Sequence, residues 1–120
     1  MSNLTEFDYG IAEYIWKILK TQQMKVWSWG VDPDTVQTIT NGTQFHVQGF
    51  LLTGTVRILY DEGMDLFNLE FQKDGDMTEA EKLEGIYFDQ LVDTIDRHVE
   101  YDSNYDENIA KEYNIAGLAV

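Results

Sequence analysis

The chain has 120 residues without a cysteine, and its 22 acidic and 8 basic residues give a formal net charge of −14. This length favours one domain with a hydrophobic core, and the lack of cysteine excludes disulfides and cysteine zinc sites. The charge opposes binding to nucleic-acid phosphates and to anionic membranes. We therefore expect a protein partner, with basic proteins favoured, no cofactor and a cytoplasmic location.

The N-terminal part predicts a helix from Thr5 to about Gln23, because Thr5 is a suitable N-cap and lysines lie near the end. One side of this helix is an apolar stripe expected to pack on a sheet, made of Leu4, Phe7, Ile11, Tyr14, Ile15, Ile18 and Leu19. Tyr9, Ala12 and Trp16 fall on the opposite side. That second side needs a cover, either the apolar segment 109–120 or another molecule.

Two strand predictions follow the helix. In Lys25–Gly30, Trp27 and Trp29 alternate with Val26 and Ser28, which predicts a first strand with both tryptophans on one face. The turn Asp32-Pro33-Asp34 leads to a short strand within 35–40. Asn41-Gly42 is a strong hairpin signal.

The segment Thr43–Lys73 predicts three consecutive strands. Apolar and polar residues alternate in each of them, and the residues expected on the buried face are Phe45, Val47, Val56, Ile58, Tyr60, Phe67, Leu69 and Phe71. Thr53-Gly54 and Asp61-Glu62-Gly63 are short separators of the kind that join antiparallel strands. The segment therefore indicates an antiparallel meander.

Gly49 interrupts this alternation and leaves two interpretations. A β-bulge at Gly49 would return Phe50 and Leu52 to the core face, since glycine tolerates the required backbone. Without a bulge, an apolar patch would lie on the far face of the sheet, formed by Phe50, Leu52, Leu59 and Leu66. The bulge is the favoured prediction.

The C-terminal third predicts helices. Thr78 and Glu81 have capping-box spacing, which indicates a short helical turn after the turn 74–76. A longer helix is predicted from about Ile86 to Glu100, with a core stripe of Phe88, Leu91, Val92, Ile95 and Val99. A last helix is predicted near 106–113.

These elements predict an α+β fold with a four- to five-stranded antiparallel meander sheet and with an N-terminal and a C-terminal helix packed on one face, all within a single domain 1–120. The core is expected to contain Trp29, Phe45, Val47, Val56, Ile58, Phe67, Leu69, Phe71, Leu91 and Ile95.

No catalytic signature stands out in the chain. The two histidines, His46 and His98, have no set of carboxylates at metal-ligand spacing, and no serine lies in a nucleophile elbow. A calcium loop is a weaker alternative, with candidate ligands Glu70, Gln72, Asp74, Asp76, Thr78 and Glu81. An EF-hand needs a helix before the loop, whereas a strand is predicted there.

The most organised polar feature is an acidic row on the predicted C-terminal helix, made of Asp89, Asp93, Asp96 and Glu100. At 100° per residue these carboxylates fall on one side. The row is either a binding surface for a basic protein, in the manner of a DNA phosphate row, or an ordinary solvated helix face.

Four short strings resemble a group of small, uncharacterised bacterial proteins, some of them carried on mobile elements or phages. The strings are Trp27-Ser28-Trp29-Gly30, Phe45-x-Val47-x-Gly49-Phe50, Gly63-x-Asp65-Leu66-Phe67 and Leu91-Val92-Asp93-x-Ile95-Asp96. The resemblance spans about residues 25–100. It implies no activity, and it points towards host-defence or mobile-element proteins.

The expected function is a non-enzymatic protein-interaction module, with homodimerisation as one option. The residues expected to bind the partner are Tyr9, Trp16, Asp89, Asp93, Asp96 and Glu100. One alternative is an acidic inhibitor, or DNA mimic, of a nucleic-acid-binding protein. A small hydrolase or metal-binding protein that uses surface carboxylates is the third hypothesis.

Overall fold

The computed structural model describes residues 3–76 and 80–100 and shows an α+β fold. Five antiparallel strands pair in chain order, as β1 (Gln37–Ile39), β2 (Gly42–Gln48), β3 (Thr53–Asp61), β4 (Leu66–Lys73) and β5 (Glu81–Ile86). The helices are α1 (Glu6–Lys20), α2 (Gln23–Ser28) and α3 (Leu91–Val99), with 3₁₀ turns at Pro33–Thr35 and Phe88–Gln90. The predicted meander with an N-terminal and a C-terminal helix is confirmed.

The buried face of the sheet follows the predicted alternation. Phe45 on β2 pairs with Val56 on β3, which pairs with Phe71 on β4. Residues in register share a face, so these apolar side chains form continuous rows beneath the helices. All ten residues of the expected core are buried in one cluster.

The rotation of α1 differs from the prediction. Its buried residues are Asp8, Ala12, Ile15 and Leu19, whereas Phe7 and Tyr14 are exposed. At 100° per residue the buried side is turned by roughly 70° from the predicted stripe, towards Ala12 and Trp16. A hydrogen bond explains this rotation, because Asp8 Oδ1 accepts from the Asn41 backbone N–H at 2.8 Å and ties α1 to the β1–β2 hairpin. The prediction that Ala12 faces away from the core is therefore wrong.

The predicted strand at Lys25–Gly30 is wrong, because residues 25–28 belong to helix α2. Val26 and Trp29, three residues apart, are buried, and Trp27 between them is exposed. That spacing is helical. Gly30, at φ +66°, ends the segment. Trp27 and Trp29 consequently do not share a face.

Strand β5 replaces the predicted helical turn around Glu81, and Thr78 lies outside the described residues. Phe67 and Leu69 lie two residues apart on β4, but their partners on β5, Ile86 and Leu83, lie three apart. The extra residue fits a bulge at Gly85, whose φ is +74°. Because Leu83 and Ile86 lie three residues apart, the two-residue period typical of a strand is not visible in the sequence of β5.

The β2–β3 connection contains no bulge within a strand. Strand β2 ends at Gln48, and Gly49 N–H donates to Leu52 O at 2.8 Å across a tight loop. Leu52 packs partly against the core, but Phe50 is exposed, so the bulge prediction is wrong. The N–H of Leu51 donates to Val99 O at 2.7 Å, and the loop thereby caps the end of α3.

Helix α3 begins later than predicted, since Ile86 belongs to β5 and Phe88 lies in a 3₁₀ turn. Phe88 is 60% exposed, so its place in the predicted core stripe is wrong, while Leu91, Val92, Ile95 and Val99 are buried as expected. The predicted last helix at 106–113 and the apolar segment 109–120 lie outside the described residues.

The other face of the sheet carries polar side chains. A row runs across it in register, with Gln44 Nε2 donating to Gln37 Oε1 at 3.3 Å, Arg57 Nε donating to Gln44 Oε1 at 3.0 Å, and Arg57 3.6 Å from Glu70. These side chains satisfy one another's hydrogen-bonding groups along the row.

None of the helices formed by the described residues has the length and apolar character that crossing a bilayer requires.

Candidate functional site

Helix α2 presents two large apolar side chains to solvent. Trp27 is 72% exposed and Met24 is 86% exposed, and both lie on the side of α2 opposite Val26 and Trp29. Packing against the core explains why Val26 and Trp29 are apolar, but it does not explain the apolar side chains of Met24 and Trp27 on the exposed side. A tryptophan left largely in water is unusual, because its ring is mostly apolar.

An apolar groove of about 260 Å³ lies beside Trp27. The residues that line it are all apolar or aromatic: Trp16, Val26, Trp27, Val31, Pro33 and Val36. We call it the Trp27 groove. It lies between α1, α2 and the segment around the first 3₁₀ turn, so its shape depends on how these three parts are held together.

Trp16 is a fixed wall of this groove. Its indole Nε1 donates to Thr43 Oγ1 at 3.2 Å, and its ring lies 5.3 Å from the ring of Phe45. Thr43 is itself buried and donates from Oγ1 to Gln37 O at 2.8 Å. The sheet therefore holds Trp16 in place, and the exposed part of its ring is available to a ligand.

The opposite wall is held by polar contacts of the 3₁₀ turn. Asp32 accepts a hydrogen bond from Asp34 N–H at 3.0 Å, and Thr35 Oγ1 accepts one from His46 N–H at 2.8 Å. Asp32 N–H donates to His46 O at 3.0 Å. Both aspartates are exposed, so negative charge flanks Pro33 at the edge of the groove.

The structure separates the predicted partner-binding residues. Trp16 lines the Trp27 groove. Tyr9 is exposed on α1, seven residues from Trp16, which places it about 10 Å away along the same side of the helix. Tyr9 does not line the groove.

The acidic row is divided between internal contacts. Asp93 Oδ1 lies 2.6 Å from Lys25 Nζ, Asp96 Oδ1 accepts from Trp29 Nε1 at 2.9 Å, and Glu100 Oε2 accepts from Phe50 N–H at 2.7 Å. Asp89 lies in the second 3₁₀ turn instead of on α3. Three of the four carboxylates thus hold neighbouring elements in place, and Asp89 is exposed.

Asp89 borders a second, wider groove of about 520 Å³ between α1 and α3. Its lining mixes apolar with polar and charged residues: Tyr14, Lys17, Ile18, Thr21, Gln22, Phe88, Asp89 and Val92. Four of these residues are polar or charged, whereas every residue that lines the Trp27 groove is apolar or aromatic.

Among residues 3–76 and 80–100, two titratable groups have shifted pKa values, and contacts that hold the fold explain both. Hydrogen bonds from the backbone N–H groups of Asn41 and Thr5 lower the pKa of Asp8. The hydrogen bond that Tyr60 donates to Asp65, at 2.6 Å, raises the pKa of Tyr60 to about 12. Neither group lines the Trp27 groove, so these shifts do not mark acid–base chemistry there.

The candidate calcium ligands are dispersed where the structure describes them. Glu70 lies on the polar face of the sheet near Arg57, Asp74 lies 2.6 Å from His46, and Glu81 lies 3.6 Å from His98. Within residues 3–76 and 80–100, no three histidine or carboxylate side chains are close enough together to hold a metal ion.

Sequence reasoning missed Trp27, Val31 and Val36 as site residues. The strand prediction placed Trp27 on the same face as Trp29, which was the tryptophan expected in the core. The available signal was the separation of three between Val26 and Trp29, which is also compatible with a helix that exposes Trp27.

No family model, curated protein or solved structure matches this chain. The resemblance to small bacterial and mobile-element proteins therefore stays a prediction. The fold and the surface define an α+β protein with an apolar groove at the helical layer of a five-stranded sheet.

Proposed function

We propose that this protein is a non-enzymatic protein-interaction module whose binding site is the Trp27 groove. Its partner is a protein segment that inserts an apolar side chain into the groove and carries lysine or arginine on either side. A cytoplasmic location belongs to the same proposal.

The exposure of Trp27 beside an apolar groove is the observation that carries this proposal. An indole has about 150–250 Å² of surface, so burying the exposed part would contribute about 3–4 kcal/mol at about 25 cal/mol per Å², before the entropy costs of association. Tryptophan is also among the residues that most often dominate the affinity of protein interfaces.

The charge of the chain supports a basic partner. Asp32 and Asp34 are exposed next to Pro33, and the chain carries a net charge of −14. Such a field attracts cationic segments and repels acidic ones, and its main effect is to raise the association rate of a cationic partner. Apolar contacts in the groove would then determine how long the complex lasts.

A pair of designed peptides tests the proposal. One is a helix of about four turns with leucine on one face and lysine on the other, and the second replaces each lysine with glutamate. In a fluorescence polarisation titration, we expect the lysine peptide to bind and the glutamate peptide to bind at least about ten-fold more weakly, which is about 1.4 kcal/mol.

Matched variants locate the site. Trp27→Ala should weaken binding of the lysine peptide at least about ten-fold. The control Met64→Ala removes another exposed apolar side chain, in the β3–β4 connection, and should leave binding unchanged. Equal affinity of wild type and Trp27→Ala would contradict the assignment of the groove.

The same titration separates this function from the acidic-inhibitor alternative. A DNA mimic would bind a cationic partner through many charges, and its affinity would fall steeply with salt and be insensitive to Trp27→Ala. Light scattering on the free protein tests the homodimer, in which a second copy occupies the groove. A dimer that Trp27→Ala dissociates would replace the basic partner with a second copy of this chain.

A further inference from the structure

Two carboxylates of α3 hold α2 at two places. Near the middle of α2, Lys25 Nζ lies 2.6 Å from Asp93 Oδ1, with both side chains about half exposed. At its C-terminal cap, Trp29 Nε1 donates to Asp96 Oδ1 at 2.9 Å, and Trp29 is fully buried. Trp27 lies between these two anchored residues.

Helix α2 is too short to fix its own orientation. It spans only Gln23–Ser28, and no side chain caps its N-terminus within the described residues. So short a helix is not stable alone, and its position depends on tertiary contacts. Its buried residue Val26 and its cap Trp29 provide the apolar part of those contacts. The polar part comes from the α3 carboxylates and from the Gln48 N–H of β2, which donates to Trp29 O at 3.0 Å.

We infer that Asp93 and Asp96 are positioning residues for the Trp27 groove, which orient α2 so that Trp27 forms one wall of the binding site. The effect of these two residues on partner binding rests on the proposed function, whereas their effect on the orientation of α2 does not. It assigns the central part of the acidic row to an internal task, in contrast to direct contact with a basic partner.

The carboxylate of Asp96 is suited to this task because it is a strong acceptor for a buried indole N–H. Removing the acceptor leaves the Trp29 Nε1 donor unpaired in a largely apolar environment, which is costly. The most economical response is a shift of Trp29 and of the helix that ends at it. The charge of Asp96 is not required for this hydrogen bond, since the side-chain oxygen of asparagine also accepts one.

This distinction between acceptor and charge gives the test. Asp96→Ala removes both, and Asp96→Asn removes the charge and keeps an oxygen acceptor. Asp89→Asn is the matched control, because it removes one charge from the same predicted row at an exposed residue of the second 3₁₀ turn, outside α3. Asp93→Ala breaks the half-exposed ion pair and is a milder variant that should fold in any case.

Hydrogen exchange of the α2 amides in the free protein decides the inference without any ligand. We expect Asp96→Ala to accelerate exchange at Val26–Trp29 by about ten-fold relative to residues of β3, and Asp93→Ala by about two-fold. Asp96→Asn and Asp89→Asn should resemble wild type. Unchanged α2 exchange in both alanine variants would overturn the inference.

Binding of the lysine peptide provides the second readout. We expect Asp96→Ala to weaken it at least about three-fold, with rescue by Asp96→Asn. Equal weakening by Asp96→Asn, Asp89→Asn and Asp96→Ala would instead show direct contact between the carboxylates and the partner, and would overturn the inference. Failure of wild type to bind the peptide, together with faster α2 exchange in Asp96→Ala, would reject the proposed function and leave the positioning role in place.

Discussion

Replacing Gly49 with alanine should destabilise the protein, because the loop that caps α3 has no space for a side chain. A Cβ at this position would lie 2.4 Å from Val99 O and 2.4 Å from Val99 Cγ1. Carbon atoms do not approach a carbonyl oxygen this closely, so either the loop or the end of α3 must move. Forced overpacking of this kind costs about 1–3 kcal/mol.

The move would also weaken neighbouring hydrogen bonds. The N–H groups of Leu51 and Leu52 both donate to Val99 O, at 2.7 and 3.3 Å. Relieving the clash requires this oxygen to move away from the loop, which would lengthen both hydrogen bonds. A loss of one such bond adds about 1 kcal/mol. We therefore expect Gly49→Ala to lower the free energy of unfolding by about 2–4 kcal/mol.

Gly10→Ala is the matched control. Gly10 lies within α1, and a Cβ added there meets no atom within 4 Å. Alanine is a better helix former than glycine, so this variant should gain about 0.5–1 kcal/mol. Urea denaturation followed by circular dichroism measures both changes. A Gly49→Ala variant as stable as wild type to within about 0.5 kcal/mol would show that the loop has space for a side chain.

Three further outcomes follow from the packing and charge. Leu69→Ala, at a fully buried position in β4, should cost about 2–5 kcal/mol, whereas Leu51→Ala, at an exposed loop position, should cost less than about 1 kcal/mol in the same denaturation assay. Because the folded state lowers the pKa of Asp8, which is 5% exposed, this carboxylate contributes stability at neutral pH that is lost as the pH falls through its folded-state value. Asp8→Asn should therefore be less stable than wild type near pH 7, and the difference should vanish in acid; a constant difference would contradict this. Moderate salt should raise stability near pH 7, because it screens the self-repulsion of a chain with a net charge of −14, and a fall in stability with added salt would show that this repulsion does not limit the stability of the fold.

The central meander could be predicted because its signals are local and agree with one another. Phe67, Leu69 and Phe71 alternate without interruption, and their partners on β3 alternate in the same way. Where an extra residue enters, as between Leu83 and Ile86 on β5, the period changes and the strand resembles a turn of helix. The alternation in sequence therefore does not reveal this edge strand.

The helical layer could be predicted only in part, because tertiary contacts determine its details. The stripe of α1 identifies a helix, but the hydrogen bond between Asp8 and Asn41 sets the helix rotation, and these residues are 33 positions apart. The few residues from Lys25 to Trp29 are not enough for periodicity to distinguish a strand from a helix. The candidate site depends on this distinction, since only the helix exposes Trp27.

The indole N–H signals of the three tryptophans test the central claim most directly, because the residues differ in their relation to the groove. In a ¹H–¹⁵N titration with the leucine–lysine peptide, we expect large shifts for Trp27 and for Trp16, which line the groove. We expect almost none for Trp29, which is fully buried and does not line the groove. If no indole signal shifts while the peptide binds, or if all three shift equally, the Trp27 groove is not the binding site.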